Sequence, residues 1–178
     1  MAYLLSIRQS LADASDLAEL EQIEAEAQGA GYYQRQEEKG QKAKDQRSGG
    51  NPSAALPPRQ YLSGDGFTIL IGRHNKQNDR LSQKQAAADD IWLHAQKIPG
   101  AHVIIQRQGR DIPESTLKEA AAYAAWFSEA KASAQVPVDY VQAGLLRKPA
   151  GSRPGLVIYT NQRTVYVTPK EPQGPEQP

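Results

Sequence analysis

Residues 65–105 read DGFTILIGRHNKQNDRLSQKQAAADDIWLHAQKIPGAHVII, and the fold turns on how this stretch divides. Phe67 to Ile71 is an apolar run with aromatic and β-branched members, closed by Gly72, and predicts a strand. Ile91 to Ala95 and His102 to Gln106 predict two more. Pro99-Gly100 between them predicts a type II turn, because proline presets φ at the second turn position and glycine accepts positive φ at the third. Alternation along a pleated strand puts Trp92 and His94 on one face, opposite Ile91, Leu93 and Ala95. That Trp and His face is then either a second buried layer or an exposed platform of the kind on which bases stack.

Between the first two of these strands lies a polar cassette, Arg73, His74, Asn75, Lys76, Gln77 and Asn78. A strand end places it at the sheet rim, where Asn78 or Asp79 caps a short helix expected over residues 79–86. Cations, amides and free helix N–H groups facing one solvent form a phosphate-holding surface. The alternative is a solvated loop with a helix cap.

Further along, Asp111-Ile112-Pro113 introduces a helix expected over residues 114–132, with Leu117, Ala121, Ala124 and Phe127 on its core face. Small alanines let such a helix lie close to a sheet; Trp126 falls to one side as flank packing. Val136 to Val141 reads as a short strand, and Pro137 within it predicts an edge position. Residues 145–155, LLRKPAGSRPG, form a basic loop whose Arg147, Lys148 and Arg153 are either phosphate contacts or plainly solvated. Leu156 to Tyr159 and Thr164 to Thr168 predict a hairpin closed around residues 160–163. Strands outnumber helices, so the expected class is α+β: a mainly antiparallel sheet carrying one long and one short helix.

Upstream of this body, residues 34–60 are poor in apolar residues and rich in Gly, Pro, Ser, Gln and Lys, the composition of a disordered linker. Its Lys39, Lys42, Lys44 and Arg47 are diluted by Glu37, Glu38 and Asp45. Residues 1–33 carry Leu4, Ile7 and Leu11, then Leu17, Leu20 and Ile23, at helical spacing. Asp16 with Glu19 resembles a capping box, and Gly29 and Gly31 supply a stop. The expected organisation is a helical segment over 1–33, a linker over 34–60, a domain over 61–170 and a disordered tail over 171–178.

Charge is uneven along the 178 residues. Residues 1–34 hold Arg8 against six acidic groups, a net of −5, whereas residues 65–170 hold fourteen Lys or Arg against nine Asp or Glu, a net of +5. Two units with different partners are expected. Cysteine is absent, which excludes disulfide and thiolate chemistry and fits a reducing cytoplasm. No apolar run approaches the roughly 18 residues of a membrane span. The three histidines, at 74, 94 and 102, match no zinc spacing; a site joining His94 and His102 to Asp89 or Asp90 is the weaker alternative. Ser82 and Ser115 have no identifiable base. Neither a catalytic site, nor a metal, nor a cofactor is expected.

Several motifs in order, DGF at 65–67, ILIGRHNKQND at 69–79, DDIWLHA at 89–95, IPGAHVII at 98–105, VPVDY at 136–140 and GLVIYTNQRTVYVTP at 155–169, resemble the NFACT-R domain. This is the C-terminal RNA-binding module of the NFACT proteins, ribosome-quality-control factors of RqcH and NEMF type, some of whose bacterial members are also called fibronectin-binding proteins. The resemblance spans roughly residues 60–170. It implies a partner in the large ribosomal subunit carrying an obstructed peptidyl-tRNA, with rRNA and tRNA as ligands, in support of alanine tailing of the stalled chain. It also implies that residues 1–33 are the returning end of a coiled-coil arm, and that tRNA recognition lies chiefly in parts outside this chain.

On that reading Arg73, Lys76 and Lys97 hold phosphates, and Asn75, Gln77 and Asn78 read 2′-hydroxyls or base edges. Trp92 or a histidine, among His74, His94 and His102, stacks, and Arg147, Lys148 and Arg153 add a second phosphate-contact set. The rivals are an adaptor that binds ribosomal protein through its acidic helices, a general nucleic-acid binder that also takes DNA, and a small RNA-modifying enzyme.

Overall fold

A computed structural model of the protein describes residues 2–32, 56–173 and 176. Most of the expected linker, with Lys39, Lys42, Lys44 and Arg47, and part of the tail lie outside the described residues. Six strands form one antiparallel sheet: β1 (Arg59–Leu62), β2 (Thr68–Ile71), β3 (Ile91–Ala95), β4 (Val103–Ile105), β5 (Val136–Gln142) and β6 (Arg163–Val167), in the order β1-β2-β4-β3-β5-β6. With its helices the molecule is α+β. β1 starts inside the stretch whose composition marks a linker; only its pairing with β2, Arg59 opposite Ile71, makes it a strand.

The period-2 pattern of the strands sorts into two cores. Ile69, Ile71, Leu93, Ala95, Val103, Ile105, Val136 and Val138 face one way and are covered by α4 (Glu114–Trp126) through Ala120, Ala121 and Ala124. The other face carries Leu70, Trp92, Ile104 and Val141 and is covered by Leu81, Ala143 and Leu146, with Val157 and Tyr159 alongside. Trp92 is 1% exposed, so the Trp and His face is a second buried layer rather than an open platform. α4 stops at Trp126, six residues short of expectation. There the chain turns to pair Gly100 with Ser128, an approach that leaves only 3.0 Å between a Cβ at Gly100 and the Ser128 Cβ. Gly100 therefore serves close packing, and the chain reverses instead at Gln96-Lys97, with Lys97 at φ 58°.

Pro137 lies in an interior strand, not at an edge. It precedes the β3 ladder, which begins at Val138 opposite Ala95; its carbonyl accepts the Gln96 amide, and the N–H it lacks falls just beyond the ladder's end, where the loss costs least. The expected final hairpin is likewise replaced: Ile158 bridges Arg147 across the basic loop, and β6 pairs with β5.

The short helix begins earlier than residue 79. α3 spans Asn75–Arg80, with His74 at the N-cap, and runs into a π turn over Leu81–Gln85 closed by the Ala86 amide on the Leu81 carbonyl. α1 (Ala2–Asp13) and α2 (Leu17–Gly29) form a helical hairpin against the end of the sheet where β2 leaves it. Asp16 caps α2 by accepting the Glu19 amide at 2.8 Å, and the Glu19 carboxylate reaches back to the Ser15 amide at 2.7 Å. Ile7 and Ile23 are buried, whereas Leu4, Leu11, Leu17 and Leu20 stay on the surface.

Candidate nucleic-acid interface

The acidic helices and the basic body join through buried charge. Glu19, 1% exposed, accepts Arg59 Nη2 at 2.9 Å and is also paired with Arg73. About two turns further along α2, Glu26 accepts Tyr3 Oη at 2.8 Å, His74 Nδ1 at 2.9 Å, Asn75 Nδ2 at 2.8 Å and the Lys76 amide at 3.0 Å. Burial on its own would raise the Glu26 carboxyl; the hydrogen bonds from His74, Lys76, Asn75 and Tyr3 outweigh it and hold the group below the usual carboxylate range. Two carboxylates spaced seven residues apart on one helix face thus occupy the inner side of the cassette. The negative charge counted over residues 1–34 is partly spent here, so the two charged regions form one packed structure.

Most of the cassette consequently faces inward, contrary to a solvated rim. Arg73, His74, Asn75, Gln77 and Asn78 are all under 9% exposed. Gln77 accepts the Arg73 amide and donates to the Leu56 carbonyl, and Asn78 Oδ1 accepts the His102 amide at 3.1 Å. Gly72 allows that contact, since a Cβ there would stand 2.0 Å from Asn78 Oδ1. Lys76 alone of the six is exposed. His102, 2% exposed, hydrogen-bonds the Gly155 carbonyl through Nε2 at 3.1 Å, and Nδ1 faces the Ser82 hydroxyl at 3.3 Å. His94 stacks on Trp92 at 5.7 Å and meets His102 edge-on at 5.4 Å. Desolvation holds both imidazoles below their ordinary range, His102 well below it. Among the described residues, no group of three or more His, Asp or Glu is placed to hold a metal ion.

The second set of cations is differently employed. Lys148 Nζ lies 2.9 Å from both Asp79 oxygens, and Asp79 also accepts the Gly155 amide at 2.9 Å, which ties the basic loop to α3. Arg147 is exposed and donates to the Gly144 and Leu146 carbonyls. Arg153 is exposed, bonds the Tyr32 hydroxyl, and lays its guanidinium 5.1 Å from the Tyr3 ring and 5.2 Å from the Tyr32 ring. Lys97 is exposed on its turn. The end of the sheet where β2 and β3 finish thus presents Lys76, Lys97 and Arg153 to solvent, whereas Arg147 sits toward the other end, on the Gly144 carbonyl beside Ala88.

Three hollows follow this rim. One of about 670 Å³ lies between Gln22 and Ala25 of α2 and Lys76, Arg80, Gln83 and Lys84. A smaller one of about 210 Å³ lies between Tyr3, Gly29, Lys76 and Arg153. The third, about 640 Å³, runs from Tyr3 and Tyr32 past Arg153 to His94 and Lys97. The sequence by itself does not single out Arg80 and Lys84, although Lys76, Arg80 and Lys84 stand four apart. A helix started at Asp79 leaves Lys76 outside it and hides the row.

Fold and rim together define a small α+β module with one cationic end. Residues 58–160 match the family described as the NFACT protein RNA binding domain, and the chain belongs to that family. It is 42% identical over 167 residues to the Rqc2 homolog RqcH of Bacillus subtilis (strain 168), covering 94% of this chain and 28% of that protein. With the Rqc2 homolog RqcH of Streptococcus suis (strain 05ZYH33) the identity is 40%, over 96% of this chain and 29% of the relative. The chain therefore spans less than a third of the length of these relatives. A shorter match, 32% over 71 residues, is to a ribosome quality control complex subunit NEMF homolog of Drosophila melanogaster, covering 39% of this chain and 7% of that protein. Among solved structures, the C-terminal part of the fibronectin/fibrinogen-binding protein from Streptococcus suis superposes with a TM-score of 0.82 at 38% identity, covering 96% of this chain and 64% of that one. Among the described residues no helix is long and apolar enough to cross a membrane.

Proposed function

We propose that this chain is the non-catalytic RNA-binding module of a cytoplasmic ribosome-associated quality-control factor. It contacts rRNA or tRNA on the obstructed large ribosomal subunit and supports alanine tailing performed by the remainder of such a factor. The observation that carries the reading is the cationic rim, with Lys76, Lys97 and Arg153 gathered at one end of a domain of an RNA-binding family and Arg147 exposed on the basic loop beyond it. Phosphate contacts of this kind supply affinity and orientation, while 2′-hydroxyl contacts distinguish RNA from DNA. Lys148 contributes by holding the loop on Asp79. Arg73, His74, Asn75, Gln77, Asn78, Trp92 and His102 support the rim from beneath, through the buried contacts described above.

The test is binding of the purified chain to isolated large subunits, to tRNA and to a DNA duplex across a salt series. Saturable preference for the subunit or tRNA over DNA is expected. Equal, wholly salt-labile binding to all three would reduce the module to a generic polyanion surface. A second reading follows from Leu4, Leu11, Leu17 and Leu20 on the outer side of α1 and α2: a ribosomal-protein contact. Subunit binding that survives loss of the rim cations but not polar substitution of these leucines would favour it.

A further inference from the structure

We infer that the three hollows form one continuous track for a single-stranded RNA segment, laid between the N-terminal helices and the sheet domain. This rests on the RNA-binding reading above and gives it a path. The first and second hollows share Lys76; the second and third share Tyr3, Arg153 and Pro154. Cations line the whole path in order: Lys84, Arg80 and Lys76 along one face of α3 and its π turn, then Arg153, then Lys97. Among the described residues no ion pair engages Lys76, Arg80, Lys84, Lys97 or Arg153, so their charge is free for phosphates.

The carboxylates beside the track are already used. Glu26 is buried beneath four donors, and Asp79 is held by Lys148 and the Gly155 amide. Midway, Tyr3 and Tyr32 stand 6.0 Å apart with the Arg153 guanidinium against both, and Tyr32 is 40% exposed. A groove of cations with rings set along it is what an unpaired strand requires. Lysines and arginines follow the backbone, while flat side chains take unstacked bases, whose faces a duplex keeps covered. One wall, Gln22, Ala25, Gly29, Tyr3 and Tyr32, comes from the helical hairpin, so the hairpin is part of the binding site and not merely its support.

The experiment measures affinity of the full chain for a labelled 12-nucleotide single strand of RNA and for an RNA hairpin of equal charge, across a salt series. Four forms are compared: the unsubstituted chain, K76A/R80A/K84A, the same triple variant with Y32A added, and a control of equal charge change, K131A/R163A/K170A, whose side chains are exposed and line none of the hollows. The track variant should bind the single strand at least tenfold more weakly, with a salt slope smaller by about 2 at roughly 0.7 per lost phosphate contact. The control should change it less than threefold. Y32A should cost a further fivefold or more that high salt does not abolish. Equal losses in track and control variants, or an unchanged track variant while RNA binding persists, would overturn the track and leave the RNA-binding reading standing. A loss as large on the hairpin as on the single strand would overturn the single-strand assignment. Absence of RNA binding by the unsubstituted chain would overturn both readings.

Discussion

Glu26 and His74, 48 residues apart, are joined at 2.9 Å inside the contact between α2 and the start of α3. The bond sets the orientation of the hairpin on the sheet, because the same carboxylate also holds Tyr3, Asn75 and the Lys76 amide. Replacing Glu26 by Ala strands four donors, three of them on side chains. A buried charged acceptor removed in this way should cost about 3 kcal/mol or more in denaturant unfolding.

Arg73 and Glu19 form the second lock. Because Arg73 is buried against Glu19, R73A should act on stability, leaving Arg59 as the remaining cationic partner of that carboxylate, at about 2–3 kcal/mol. K76A, at an exposed site, should change the unfolding midpoint negligibly while weakening RNA binding. Equal stability of the two variants would contradict the buried position of Arg73.

Gly155 knits the basic loop to the cassette: its amide meets Asp79, its carbonyl meets His102, and its φ is 82°. A Cβ there would stand 2.7 Å from Asn75 Oδ1. G155A should therefore destabilise by about 2 kcal/mol, combining left-handed strain with displacement of Asn75. Hydrogen exchange should report faster opening in residues 145–159 before the rest of the sheet responds.

Trp92 fills the second core, 4.8 Å from the Tyr159 ring. With Trp126 replaced by Phe, the remaining indole should be shielded from acrylamide, and saturating RNA should leave its emission unchanged. W92A should cost about 3–5 kcal/mol. Quenching of Trp92 by RNA would mean that this layer opens.

His94 and His102 set a pH limit. Both are held below their ordinary pKa by desolvation, so below about pH 6.5 the unfolded chain binds protons that the folded chain refuses. Their contribution is complete above that value and is lost as pH falls from it toward the depressed folded pKa. Unfolding midpoints should drop between pH 6.5 and 5, and H102N should flatten the drop. An unchanged slope in H102N would assign the acid sensitivity elsewhere.

The strands β2, β3 and β4, the cap of α2 and the alanine face of α4 were legible in the sequence because each depends on neighbours within a few residues: alternation, capping spacing, a small-residue stripe. The same locality explains the errors. Whether Pro137 lies at an edge depends on β6, whether residues 156–159 pair depends on Arg147, and whether Arg59 begins a strand depends on Ile71. The cassette shows the division most clearly. By itself the sequence determined that polar and cationic groups cluster after β2, and tertiary structure decided that they turn inward. Only folding brings Glu19 and Glu26 across about fifty residues to meet them, and a buried polar group goes wherever its hydrogen-bond partners are. What remains outside, Lys76 with Arg80, Lys84, Lys97 and Arg153, is the charge those two carboxylates leave unanswered.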